Sequence, residues 1–127
     1  SALAFDLENI IIDEKCADVY NSKTIGAAKD AIFKLNIVSD KSLKIFDQIK
    51  NKMKVFSTSL ENSDTLDVLK NEKPFCLILG NESHGIDEEL QEMSDARIKI
   101  EMGKKIESLN VASASAIVFY ELYKMRK

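Results

Sequence analysis

Residues 75–79 read Phe-Cys-Leu-Ile-Leu, an unbroken apolar run that stops at Gly80. A run this short and this uniformly apolar reads as a strand buried on both faces. Strands of that kind belong to parallel sheets, whose crossover helices cover both sides.

Other segments repeat the theme. Leu7 to Asp13 carries Ile10, Ile11 and Ile12 between polar flanks and reads as a buried strand. Ile25, Ala28, Ile32 and Leu35 share one face at helical spacing, which predicts a helix over Thr24 to Leu35. Ile37-Val38 is the next strand candidate. Asp40 or Ser42 is placed to cap a helix carrying Leu43, Ile45, Phe46 and Ile49. Lys54 to Thr58 reads as a strand, and Leu60 to Lys70 as a polar loop with a short helix. Asp87, Glu88 and Glu89 open a further helix, where acidic residues suit the positive end of the dipole. Arg97 to Ile100 alternates like a strand, and Leu109 to Lys127 reads as a long helix. Strands alternating with helices predict an α/β domain with a parallel sheet flanked by helices.

The chain has 127 residues, enough for one core and one domain. Its net charge is −3, which opposes a domain that grips nucleic acid by overall charge and leaves room for local basic patches. Cys16 and Cys76 form no CxxC pair, and Cys76 within its apolar run reads as a small buried hydrophobe. A disulfide framework is not expected, and a reducing cytoplasm fits. No apolar stretch approaches the roughly 20 residues that span a bilayer. The first residues carry no basic segment of a secretory signal. The chain does not begin with methionine, which fits processing or a shortened chain.

Ligands of open α/β sheets bind beyond the carboxyl ends of the strands. Three segments qualify: Gly80-Asn81-Glu82-Ser83-His84-Gly85, then Ile100 to Gly103, then Glu107-Ser108-Leu109-Asn110. Glycines at 80, 85 and 103 permit close backbone approach or positive φ. Each segment also has a plain structural reading. Gly80 and Gly85 serve a turn equally well. Glu82 suits a solvated loop, and so does His84, the chain's one histidine. Periodicity favours Ser108 as the cap of the last helix, with Asn110 bonding the local backbone. Ala112-Ser113-Ala114-Ser115-Ala116 fits close helix packing. No GxxxxGK[ST] loop, GxGxxG fingerprint, GxSxG elbow or His/Cys/Asp cluster of metal spacing is present, so no metal is expected.

Taken together, Leu77-Ile78-Leu79-Gly80-Asn81-Glu82-Ser83-His84-Gly85-Ile86 resembles the second signature motif of the SpoU/TrmH family of RNA methyltransferases, in the SPOUT superfamily. Ile106-Glu107-Ser108-Leu109-Asn110-Val111-Ala112 resembles the third motif, in the family's order and at its separation. Ala17 to Lys23 and Gly26 to Leu35 resemble the stretch between the first motif and the second. The resemblance covers nearly the whole chain.

It implies a parallel sheet with a C-terminal deep trefoil knot, and S-adenosyl-L-methionine bent in the loops of that knot. Leu79, Gly80, Asn81, Ile100, Met102, Ser108 and Leu109 match the cofactor-binding positions. Glu82, Ser108 and Asn110 match the polar residues of the catalytic site. The implied reaction is methyl transfer to a ribose 2′-hydroxyl of tRNA or rRNA, by a homodimer to which the last helix contributes. Lys104 and Lys105, beside the third motif, are the candidate RNA contacts. The family's first motif ends in an arginine that acts on the ribose hydroxyl, followed by a segment similar to Ser1-Ala2-Leu3-Ala4-Phe5. The first motif and its strand are therefore expected to be missing here. Ser83-His84 replaces a more frequent glycine-containing pair, and Glu101 stands where proline is common. A catalytically silent cofactor- or RNA-binding dimer module of the same fold is the alternative, with an unrelated α/β binding domain behind it.

Overall fold

A computed structural model of the chain describes residues 1–72, 74–81 and 83–127. After a 3-10 helix at Leu3–Phe5 come β1 (Asn9–Ile12), α1 (Ser22–Ala28), a 3-10 helix (Lys29–Phe33) and β2 (Asn36–Ser39). Then follow α2 (Lys44–Lys50), β3 (Lys54–Thr58), a 3-10 helix (Leu66–Asn71), β4 (Phe75–Ile78), α3 (Glu88–Glu92), β5 (Ala96–Ile98) and α4 (Val111–Arg126).

The expected α/β alternation with parallel strands is present, arranged as two sheets. β1 pairs with β2, and β3 lies between β4 and β5, every pairing parallel. The expected helix over Thr24 to Leu35 is instead broken at Lys29, which takes φ 53° and ψ −129°. The reason is length. Asn36 already opens β2, its amide donating to the Glu8 carbonyl at 2.7 Å. An unbroken helix to Leu35 would leave no residues for the turn into the sheet.

Strand alternation sends successive β3 residues to opposite faces. Val55 packs with Phe46 of α2 and with Ile86 and Leu90. Phe56 packs with Leu69, Ile98, and Val118 and Leu122 of α4. The three-stranded sheet is thus covered on both sides, as a parallel sheet requires. Each fully buried Ile or Val there contributes roughly 1.5–3 kcal/mol. Leu69, in the segment expected to be polar loop, is 1% exposed and belongs to this core.

The β1–β2 pair is covered less. Ile11 and Val38 are register partners and both remain exposed. This half docks through its ends. Phe5 stacks edge-on against Tyr120 of α4 at 5.8 Å between ring centres, and Arg126 Nη1 donates to the Asp6 carbonyl at 3.1 Å. Lys15, just beyond β1, reaches the Asp87 carboxylate at 2.6 Å, immediately before α3.

Because β3, β4 and β5 run parallel, the loops that follow them emerge at one end of the sheet. No described helix is long and apolar enough to cross a membrane.

Candidate functional site

The loop after β4 closes on itself. The Asn81 amide donates to the Gly85 carbonyl at 2.9 Å, and the Gly85 amide returns to the Asn81 carbonyl at 2.8 Å. The Asn81 side chain accepts from the Ser83 amide at 2.8 Å, a local turn that Asn favours. Gly85 has φ 68°, the left-handed region that glycine enters without cost. Gly80 serves closeness: a Cβ there would lie 2.6 Å from the Gly85 carbonyl carbon and 2.9 Å from Ile86 Cγ1. The third glycine, Gly103, has neither constraint, since a Cβ there would meet open space.

The loop after β5 leads to α4. Asn110, not Ser108, caps that helix: its Oδ1 accepts from the Ala112 amide at 3.0 Å and the Ser113 amide at 3.3 Å. The cap satisfies amides that have no partner within the helix. Lys124 and Arg126 close its last turn, where cations suit the dipole.

Between these loops lies a cavity of about 450 Å³. Leu79, Gly80 and Asn81 line it from the first loop, and Ile100, Met102, Ser108 and Leu109 from the second. All seven residues singled out as cofactor-binding therefore share one wall system. Val111, Ala114 and Val118 of α4 complete the apolar side. The volume lies in the range of small-molecule sites, and apolar walls with a few polar groups are their usual composition.

Three expected residues lie elsewhere. Asn110 is not part of the lining and holds the helix start beside Ser108 and Leu109. Lys104 and Lys105 are exposed in a turn outside it. Glu82 falls outside the described residues. His84 is exposed and does not line the cavity.

Sequence reasoning missed a third wall. Thr58, Ser59, Leu60 and Glu61, directly after β3, line the cavity, as do Arg97 and Lys99 around β5. The Ser59 amide donates to the Ile98 carbonyl at 2.9 Å, tying this loop to β5. The available signal was position: residues 58–61 follow a strand of the same parallel sheet, where ligand loops gather.

Among the described residues, Glu61 is the one carboxylate in the lining, and no group of three or more His, Cys, Asp and Glu residues is placed to hold a metal. The described lining offers backbone and apolar surface, with Glu61, Arg97 and Lys99 as its charged residues. Burial pushes the Cys76 thiol up, and it plays no part in the lining.

Residues 1–120 match the model of the SpoU rRNA Methylase family. The chain belongs to that family. Among relatives, it is 32% identical over 123 residues to the 23S rRNA (guanosine(2553)-2′-O)-methyltransferase RlmP of Bacillus subtilis, a match covering 96% of this chain and 50% of that protein. It is 33% identical over 76 residues to the tRNA (guanosine(18)-2′-O)-methyltransferase of Escherichia coli, covering 59% of this chain and 33% of that one. Among solved structures, the AdoMet-bound rRNA methyltransferase of Sinorhizobium meliloti superimposes with a TM-score of 0.87 at 25% identity, covering 97% of this chain and 48% of that one. The SpoU methyltransferase AviRb of Streptomyces viridochromogenes, in complex with AdoMet, gives 0.87 at 25% identity, covering 98% and 52%. This SpoU-family chain thus spans about half the length of RlmP and of both of those structures.

Proposed function

We propose that the chain forms the cofactor-binding part of an S-adenosylmethionine-dependent ribose 2′-O-methyltransferase acting on rRNA or tRNA. The observation that carries this reading is the convergence of the two motif segments on one cavity at the carboxyl ends of β3, β4 and β5. The family match and the AdoMet-bound neighbours supply the chemistry.

The cavity suits such a cofactor in size and lining. Backbone at Leu79, Gly80, Ile100 and Leu109 would hold the adenosine, with Met102 against it and the polar groups of Asn81 and Ser108 within the same walls. When bound, S-adenosylmethionine supplies an electrophilic sulfonium methyl. The protein's task is then orientation, since in-line positioning of a ribose oxygen can supply much of the rate. In this reading Ser108 orients the hydroxyl and Asn110 holds the loop that carries it. Glu82 fixes the loop and substrate side. The ribose hydroxyl needs a base or a polarising group as well. The resemblance assigns that role to an arginine of the family's first motif.

Three finer features belong to the same reading. The loops that meet at the cavity form a deep trefoil knot. The working unit is a homodimer in the cytoplasm, packed partly on α4, where Ile117 and Tyr120 are exposed beside Ala112 and Ser113. Lys104 and Lys105 add exposed charge toward the RNA.

Calorimetric titration with S-adenosylhomocysteine, with ATP as control, tests the cofactor site. Selective binding of the first is expected; equal or absent binding removes the reading. Transfer of labelled methyl groups to rRNA and tRNA then separates an active enzyme from a silent binding module.

A further inference from the structure

Arg97 and Lys99 flank Ile98 in sequence. Ile98 is fully buried among Phe56, Leu69 and Val118. Its two neighbours are half-buried, and like Ile98 they line the cavity.

A partly desolvated cation ordinarily recruits an acid, and two acids stand close by. Asp64 runs alongside β5, its amide donating to the Arg97 carbonyl and its carbonyl accepting from the Lys99 amide, each at 2.9 Å. Glu61 lines the same cavity. Yet among the described residues neither cation takes part in an ion pair, while Lys15, Lys34, Lys50, Lys54, Lys70 and Lys124 all do. The cavity edge therefore presents two positive groups without intramolecular partners among the described residues, in a chain whose net charge is −3.

We propose that Arg97 and Lys99 hold a backbone phosphate of the RNA strand at the mouth of the cavity. This rests on the reading of the substrate as RNA. Charge decides between the two anionic groups that could meet them. S-adenosylmethionine has one carboxylate, an ammonium and a sulfonium, so it is a net cation that two further cations repel. An RNA strand is a polyanion and matches them. A guanidinium also presents paired donors to phosphate oxygens. The contact lies on β5, apart from Lys104 and Lys105, so the strand would be held on both flanks of the loop that follows β5.

The test measures binding of a labelled short single-stranded RNA of mixed sequence over a salt series, with S-adenosylhomocysteine present. The protein is compared with Arg97→Gln, Lys99→Gln and the double variant. The double variant, which loses that one phosphate contact, should lower the slope of log affinity against log salt by about 0.7, and each single substitution by less. At low salt the double variant should bind RNA at least tenfold more weakly. Arg97→Lys, which keeps the charge, should retain most of the affinity. Far-UV circular dichroism and thermal melts should match the unaltered chain in every variant, which reports an intact fold. An unchanged salt slope in the double variant overturns the proposal, as does RNA binding that is absent from the unaltered chain. Loss of S-adenosylhomocysteine binding with RNA affinity kept would reassign the pair to the cofactor carboxylate. Failure of the unaltered chain to bind S-adenosylhomocysteine at all would instead sink the methyltransferase reading.

Discussion

Gly80 and Gly85 meet backbone to backbone: a Cβ on Gly80 would stand 2.6 Å from the Gly85 carbonyl carbon. The contact closes the loop after β4 and fixes one wall of the cavity. Gly80→Ala forces backbone to move, at a cost of about 1–3 kcal/mol, and should abolish S-adenosylhomocysteine binding. Gly85→Ala meets open space but keeps φ 68°, so it should cost about 1 kcal/mol. Urea unfolding of the two variants gives the order, and a larger loss at Gly85 would contradict it.

Asn110 has a structural task that can be separated from any catalytic one. Asn110→Ala should destabilise the protein by about 0.5–2 kcal/mol through loss of the helix cap. Asn110→Asp keeps an acceptor at the same place and should restore stability. If methyl transfer stays low in the Asp variant, the amide acts beyond capping; recovery of activity with stability would confine the residue to the cap. Ser108→Ala should leave the melting temperature unchanged and lower methyl transfer.

Ser57 is fully buried, and its Oγ has no hydrogen-bond partner among the described residues. A desolvated hydroxyl without a partner costs free energy. Ser57→Ala is therefore expected to be neutral or stabilising by up to about 1 kcal/mol. A clear loss in denaturant titration would mean that the hydroxyl is satisfied by water.

Leu69 and Phe33 make a contrasting pair. Leu69→Ala, at 1% exposure, should cost about 2–5 kcal/mol. Phe33→Ala, at 82% exposure, should change stability by less than about 0.5 kcal/mol. Thermal melts of both variants check the difference.

Burial pushes the Cys76 thiol above its ordinary range, because it disfavours the thiolate. Its folded pKa lies above its unfolded one. Below the unfolded value both states are protonated and the group has no effect on stability. As pH rises through and beyond that value the unfolded chain ionises first, so stability falls. Urea midpoints at neutral and alkaline pH should show a decline that Cys76→Ala reduces.

Local pattern carried much of the fold. The bounds expected for β3, Lys54 to Thr58, are those observed, and Phe75 to Leu79 differs from β4 by one residue. Uniform apolar runs leave little choice, because only a strand covered on both faces buries every side chain. The motif segments were legible through their resemblance to the family's signatures, and the structure supplies the physical reason for two of their residues. Gly80 and Gly85 satisfy a backbone constraint that no other residue meets as cheaply.

The sequence by itself determined where most strands and helices lie, and its resemblance to a known family singled out seven residues that line the cavity. Only the tertiary structure decided what joins them there. The order β4-β3-β5 sets Ser57 opposite Arg97 and ties Ser59 to Ile98. That brings residues 58–61, Arg97 and Lys99 to the cavity. The broken helix at Lys29 and the cap at Asn110 rather than Ser108 were decided in the same way. Local propensity depends on near neighbours, whereas strand order and register depend on which distant surfaces pack together.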